Sequence, residues 1–239
     1  MKSPMASPPV GYARLAGLAY LLVIILGVAS VGGVDSRLII TEDDAATARN
    51  ILAHETLFRV GLVSGLILYA GVLVLSWALY VVLRPVSKHL SLLALIFRCA
   101  EGVLGAATGM FGLAVLAALE HEGPDAHALV GTLLEARTAT LDFVLVFVGV
   151  GGAVFCYLFL VSKLIPRVLA AWGIVTYASM FGLGLLSILW ADHPSIIEIT
   201  LYGAGTLFEV SVGLWLLVKA IDVRKWELCV STAERPTSS

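Results

Sequence analysis

Residues 58–83 read FRVGLVSGLILYAGVLVLSWALYVVL, and this run decides the fold. Its one charge, Arg59, sits at the edge, and the run closes on Arg84-Pro85. About 20 apolar residues, each rising about 1.5 Å along a helix, suffice to cross a hydrocarbon core of about 30 Å. Five further apolar runs of comparable length flank it, over residues 15–34, 90–119, 139–161, 168–191 and 199–221. The composition agrees: of 239 residues 59% are hydrophobic and 13% are charged. A soluble domain carries roughly 25% charged residues, so this chain has about half the polar surface water would demand. The reading is all-α: a single polytopic membrane bundle of six transmembrane helices, with residues 222–239 as a flexible cytoplasmic tail.

The first run follows Lys2 and Arg14, the polarity of a secretory signal. Its apolar core is longer than the roughly 7–15 residues of a cleaved signal, so it reads as a retained span. Basic residues accumulate on the cytoplasmic side of membrane proteins. Here they mark the N-terminus (Lys2, Arg14), the second connection (Arg84, Lys88), the fourth (Lys163, Arg167) and the C-terminal segment (Lys219, Arg224, Lys225, Arg235). The first, third and fifth connections are acidic. The alternation holds at every crossing, which supports six spans and places both termini in the cytoplasm.

The cytoplasmic turns are short and carry Pro85 and Pro166, each disfavouring helix at the residue before it. In the first outward loop Thr41 is a candidate N-cap, with Asp44 in first-turn position. From Ala45 to Phe58, Ala48, Ile51, Leu52 and Leu57 recur at helical spacing, which predicts a short interfacial helix leading into span two. Within span three Gly105 and Gly109 stand four apart on one face. Close packing of two helix backbones is the plain expectation; the alternative is that glycines leave room for a lipid-like ligand.

Ionisable residues at membrane depth are the strongest candidates for function. Arg98 and Glu101 share one face of span three, and Glu209 lies at a similar depth in span six. An unpaired charge there costs at least about 3 kcal/mol. The three are therefore expected to turn inward and contact one another, either pinning spans three and six together or forming a buried polar site. A second group, His54, Glu55, Arg59, Arg137 and Asp142, falls near the outer face and could rim an entrance; Glu55 and Arg59 have the i,i+4 order that favours an ion pair.

Histidines and cysteines say little. His121, His127 and His193 lie in outward connections near acidic residues, a weak alternative as metal ligands whose spacing matches no zinc-binding helix face. Cys99, Cys156 and Cys229 are odd in number and widely spaced, so they read as small hydrophobes and not as disulfides. No phosphate-binding loop, nucleophile elbow or CxxC pair occurs, and no cofactor is expected. A net charge of −2 with scattered basic residues argues against nucleic acid.

Several stretches taken together resemble a bacterial family of small integral membrane proteins designated domain of unknown function 4386. They are Ala13-Arg14-Leu15-Ala16-Gly17-Leu18, Leu57-Phe58-Arg59, the run from Leu79 to Val86, Phe97-Arg98-Cys99-Ala100-Glu101, Pro166-Arg167-Val168-Leu169 and the run from Gly213 to Lys219. The resemblance covers nearly the whole chain, from about Tyr12 to Ile221. It implies a six-span bundle and a recurrent arginine and glutamate in span three, at Arg98 and Glu101; Cys99 departs from the aliphatic residue usual there. It implies no activity, substrate or cofactor. Whether the protein is an enzyme is left open. The expected function is to bind or process a small amphiphilic or lipid-like molecule at the buried Arg/Glu site, with membrane lipids around it. The alternatives are a structural or accessory subunit, as a homo-oligomer or with another membrane protein, and a small ion-coupled transporter.

Overall fold

The computed structural model describes residues 9–40, 43–121, 124–190 and 194–233. Among them the chain is almost wholly helical: α1 (Val10–Ser30), a π-helical turn (Val31–Asp35), α2 (Ser36–Leu38), α3 (Asp44–Ala53), α4 (Glu55–Leu83), α5 (Lys88–Ala118), α6 (Pro124–Ser162), α7 (Arg167–Leu189), α8 (Ser195–Val218) and α9 (Val223–Ala233). Six helices are long and apolar enough to cross a membrane: the continuous run Val10–Leu38, then α4, α5, α6, α7 and α8. The chain is thus a multi-pass membrane protein.

Each span packs on the next in sequence, and the sixth closes on the first, so the six form a ring. Closure depends on two glycines. A Cβ on Gly17 of α1 would collide with the backbone at Gly213 and Leu217 of α8, and Gly213 in turn lies against Tyr20 and Leu21. Small residues let the two backbones approach to where dispersion forces act, the main source of helix association in lipid. The large core cluster, with Leu75, Leu79, Phe155, Leu158, Tyr177 and Phe208, fills the ring through its middle and basic end.

The turns follow local chemistry. Pro85 comes two residues after the end of α4, and the Ser87 hydroxyl caps α5 by accepting from the Leu90 N–H at 3.4 Å. Pro124 opens α6, where its missing N–H costs nothing. Pro166 and Pro194 precede α7 and α8.

Several local expectations are corrected. Span four begins at Pro124 instead of near 139, because Ala126 and Val130 bury at helical spacing beneath a polar face that reads as loop. At 39 residues, α6 is about 58 Å long and stands out of the hydrocarbon at the acidic end. The loop helix forms over Asp44–Ala53, but its cap is Asp43, whose carboxylate accepts from the Ala46 N–H at 2.7 Å; Thr41 lies outside the described residues. The helix breaks at His54. Ala48 and Ile51 are buried while Leu52 is 53% exposed. Ile51 joins Val34, Leu38, Phe58, Val115 and Val130 in a second, smaller core, so α3 packs on protein at that end.

The segment read as a flexible tail forms α9 over Val223–Ala233. Trp226 of α9 is buried, and its indole N–H donates to the Val82 carbonyl at 3.1 Å. A bulky amphipathic side chain with a satisfied N–H anchors an otherwise polar helix. Residues 234–239 lie outside the described residues.

Candidate functional site

Arg98 and Glu101 meet as the sequence predicts. They are one helical turn apart on α5, 3% and 5% exposed, with Nη1 and Oε2 2.7 Å apart. The contact is ionic without the alignment of a hydrogen bond, since neither atom has a hydrogen-bond partner. Arg98 Nε reaches the Ser76 hydroxyl of α4 at 3.4 Å, and Ser76 in turn donates to the Val72 carbonyl at 2.6 Å.

Glu209 sits in a neighbouring polar group instead of closing on Arg98. The Tyr177 hydroxyl of α7 donates to Glu209 Oε1 at 3.0 Å and lies 3.2 Å from the Tyr20 hydroxyl of α1. Only the packing of α1, α7 and α8 lines up the two hydroxyls behind one carboxylate. The two groups flank α6. A Cβ on Gly151 would press on the Arg98 stem, and one on Gly152 would press on the Tyr177 ring. Adjacent glycines thus let α6 lie between the two polar groups.

A large accessible space lies toward the acidic end. A cavity of about 870 Å³ is walled by Asp35, Asp44, Glu135, Arg137, Asp142 and Glu198. Among the described residues its one cation is Arg137, clasped by Asp35: Nη1 and Nη2 donate to the two carboxylate oxygens at 3.3 and 3.1 Å. The π-helical turn that ends span one, containing Gly32 and Gly33, carries Asp35 to this position; such turns recur at functional sites. Asp44 rests against Gly131, where any side chain would displace its carboxylate.

Arg137 also lines a second cavity, of about 280 Å³, between α4 and α5. This one is a mostly apolar groove with Gly61 and Gly65 on one wall and Gly105 and Gly109 on the other. It opens beside Leu66, Met110 and Leu113, which are 60%, 70% and 56% exposed on the lipid-facing surface. Close backbone packing at Gly105 and Gly109 is therefore corrected. Gly105 receives the Tyr69 ring, and a Cβ on Gly109 or Gly65 would meet nothing within 4 Å. Gly65 and Gly109 border open space, whereas the Tyr69 ring fills the space at Gly105.

Of the predicted outer rim, Arg137 and Asp142 line the larger cavity, whereas His54, Glu55 and Arg59 line neither. Glu55 and Arg59 form the expected i,i+4 pair at 2.7 Å with both side chains about half exposed, where solvent makes such a pair worth little. Neither cavity is lined by Arg98, Glu101 or Glu209. Among the described residues no three His, Cys, Asp or Glu side chains converge as metal ligands; His193, one of the three histidines considered, lies outside them.

Neither the curated proteins nor the solved structures contain a match to this chain. A family does match, over residues 15–220, which takes in all six spans. With its ring of six apolar helices, the chain belongs to the family described as Domain of unknown function (DUF4386).

Proposed function

We propose that the protein binds a small amphiphile at the acidic end of the bundle, with the polar head in the larger cavity and the apolar tail in the groove between α4 and α5. The observation that carries this is the position of Arg137, which lines both spaces and so joins a polar chamber to an apolar slot open toward lipid. Small-molecule sites combine apolar walls with a few placed polar groups. Among the described residues the chamber wall holds one guanidinium, already engaged by Asp35, and Asp44 and Glu135 alone leave it acidic beyond that pair. Its charge favours a cationic or amine head over an anionic one. The charge alternation of the connections and the bacterial family resemblance support a cytoplasmic-membrane protein with this chamber facing outward.

The test uses the protein in nanodiscs of zwitterionic lipid, with two probes that carry a dansyl group at the far end of an apolar chain, one with a free primary-amine head and one with a carboxylate head. The amine should bind saturably and the acid much more weakly. Gly109→Leu places a side chain in open groove space, so the protein should stay as heat-stable as the parent while amine affinity falls at least about tenfold, or about 1.4 kcal/mol. Equal affinity in the stable variant would exclude the groove as the tail site.

A further inference from the structure

The basic end carries a separate cavity of about 440 Å³, between the α6–α7 turn and the α8–α9 turn. Lys163, Arg167, Lys219 and Lys225 line it, against one carboxylate, Asp222. That carboxylate is already occupied: Lys225 Nζ pairs with it at 2.8 Å and also donates to the Lys163 carbonyl at 3.2 Å. The side chains of Lys163, Arg167 and Lys219 have no ion-pair partner among the described residues. Three cations converging on one hollow without a counter-charge exceed what orientation in the membrane requires, since that depends only on how many lie on this side.

The hollow is rigidly built. Lys163 and Ala220, the residues that leave α6 and α8, both adopt a left-handed backbone with φ 57°, a conformation that glycine accepts far more readily. The Asp222 N–H donates to the Leu164 carbonyl at 3.0 Å, tying the two turns together. Pro166, the residue before α7, supplies no side-chain cap, so the first amides of α7 add positive potential on the same side. Trp215 forms part of the wall, and the neighbouring Val168 and Val218 are 82% and 64% exposed toward lipid. The cavity therefore lies where a lipid phosphate would sit, with cations at its end and apolar side chains along its flank.

We infer that this cavity binds a phosphate group, supplied by the head of an anionic phospholipid whose acyl chains run along α7 and α8. Arg167 offers its planar fork to two phosphate oxygens, and Lys163 and Lys219 act as point charges on the remaining ones. Basic hollows at the cytoplasmic ends of spans select anionic lipids in this way. The site lies at the opposite end of the bundle from the proposed amphiphile chamber, and neither reading depends on the other.

The experiment compares the full chain in neutral detergent with dioleoylphosphatidylglycerol, with dioleoylphosphatidylcholine and with inorganic phosphate, reading the thermal midpoint and the lipids retained in native mass spectrometry. Phosphatidylglycerol should raise the midpoint and stay bound where phosphatidylcholine does neither. Stabilisation by inorganic phosphate as well would identify a soluble phosphate as a second source of the same chemistry. Each of Arg167→Gln and Lys219→Gln should weaken phosphatidylglycerol binding about fivefold, and the two with Lys163→Asn about a hundredfold. The Arg84→Gln/Lys88→Gln double variant removes two charges from the same end but outside the cavity, and should bind as the parent does. Equal retention of the two lipids, no response to either phosphate source, or equal loss in the Arg84/Lys88 control would overturn the assignment.

Discussion

Arg137 of α6 and Asp35 at the end of span one lie 102 positions apart in sequence and clasp each other through two parallel hydrogen bonds. Their side chains are 16% and 23% exposed. Little solvent competes for the pair, and it ties the start of the ring to the helix that crosses its far side. Asp35→Asn should cost about 2 kcal/mol of stability. The double exchange Asp35→Arg/Arg137→Asp should recover part of it. Thermal unfolding in detergent reads both; equal loss in the single and double variants would mean that the pairing contributes nothing.

The Arg98–Glu101 pair is more deeply enclosed, and if it serves only to tie the bundle together it makes a different prediction. Arg98→Ala strands a buried carboxylate and should cost about 3–5 kcal/mol. Arg98→Met combined with Glu101→Leu removes both charges at similar volume, and the protein should regain most of the parent's stability. It should also keep whatever binding the outer chamber has. Loss of amphiphile binding in a stable double variant would assign the pair to the site instead.

Glycines in equivalent-looking sequence settings should respond oppositely. Gly17→Ala drives a methyl into the backbone of α8 and should destabilise by about 3 kcal/mol or more. Gly65→Ala meets open space in mid-helix and should stabilise by up to about 1 kcal/mol through backbone entropy. Paired melting curves decide, and matching shifts of the two variants would contradict the packing described.

At the basic end the pH dependence has a definite sign. Lys225 holds the Asp222 carboxyl below its ordinary value of 3.8 through hydrogen bonds from its ammonium and its backbone N–H. A folded-state value below the unfolded one means that the contribution is present above about pH 4 and fades as pH falls through the folded value. Acidification should therefore loosen the start of α9, and Asp222→Asn should remove that acid-dependent step. Emission from Trp226, in a variant whose other four tryptophans are phenylalanine, is the readout.

Trp226→Ala should release α9 from the bundle by deleting both the buried ring and its bond to Val82. Burial keeps the Cys229 thiol raised above its usual range. Undocking should lower it and speed maleimide labelling at neutral pH several-fold. An unchanged labelling rate would show that α9 stays in place without its tryptophan.

The six spans were legible from residues 58–83 and their counterparts, and the alternation of basic and acidic connections ordered them. Arg98 and Glu101 were legible as partners because three residues on one helix bring side chains together whatever surrounds them. Glu209 was expected against Arg98 but accepts from Tyr177 instead, since depth along a span says nothing about its rotation. The extension of α6 over residues 124–138 was missed because its polar face resembles a loop, although Ala126 and Val130 already carried the helical spacing. Asp35 was missed as the partner of Arg137 because nothing in either loop specifies contact across the bundle.

By itself the sequence determined that this chain lives in lipid, how often it crosses and which end is basic, because hydrocarbon thickness and charge cost act on each segment separately. Only the tertiary structure decided which charges pair, that Gly17 meets Gly213 while Gly65 and Gly109 leave a groove, and that Arg137 stands between chamber and slot. Those relationships depend on how each helix is rotated and spaced against its neighbours, which is settled collectively when all six faces pack at once.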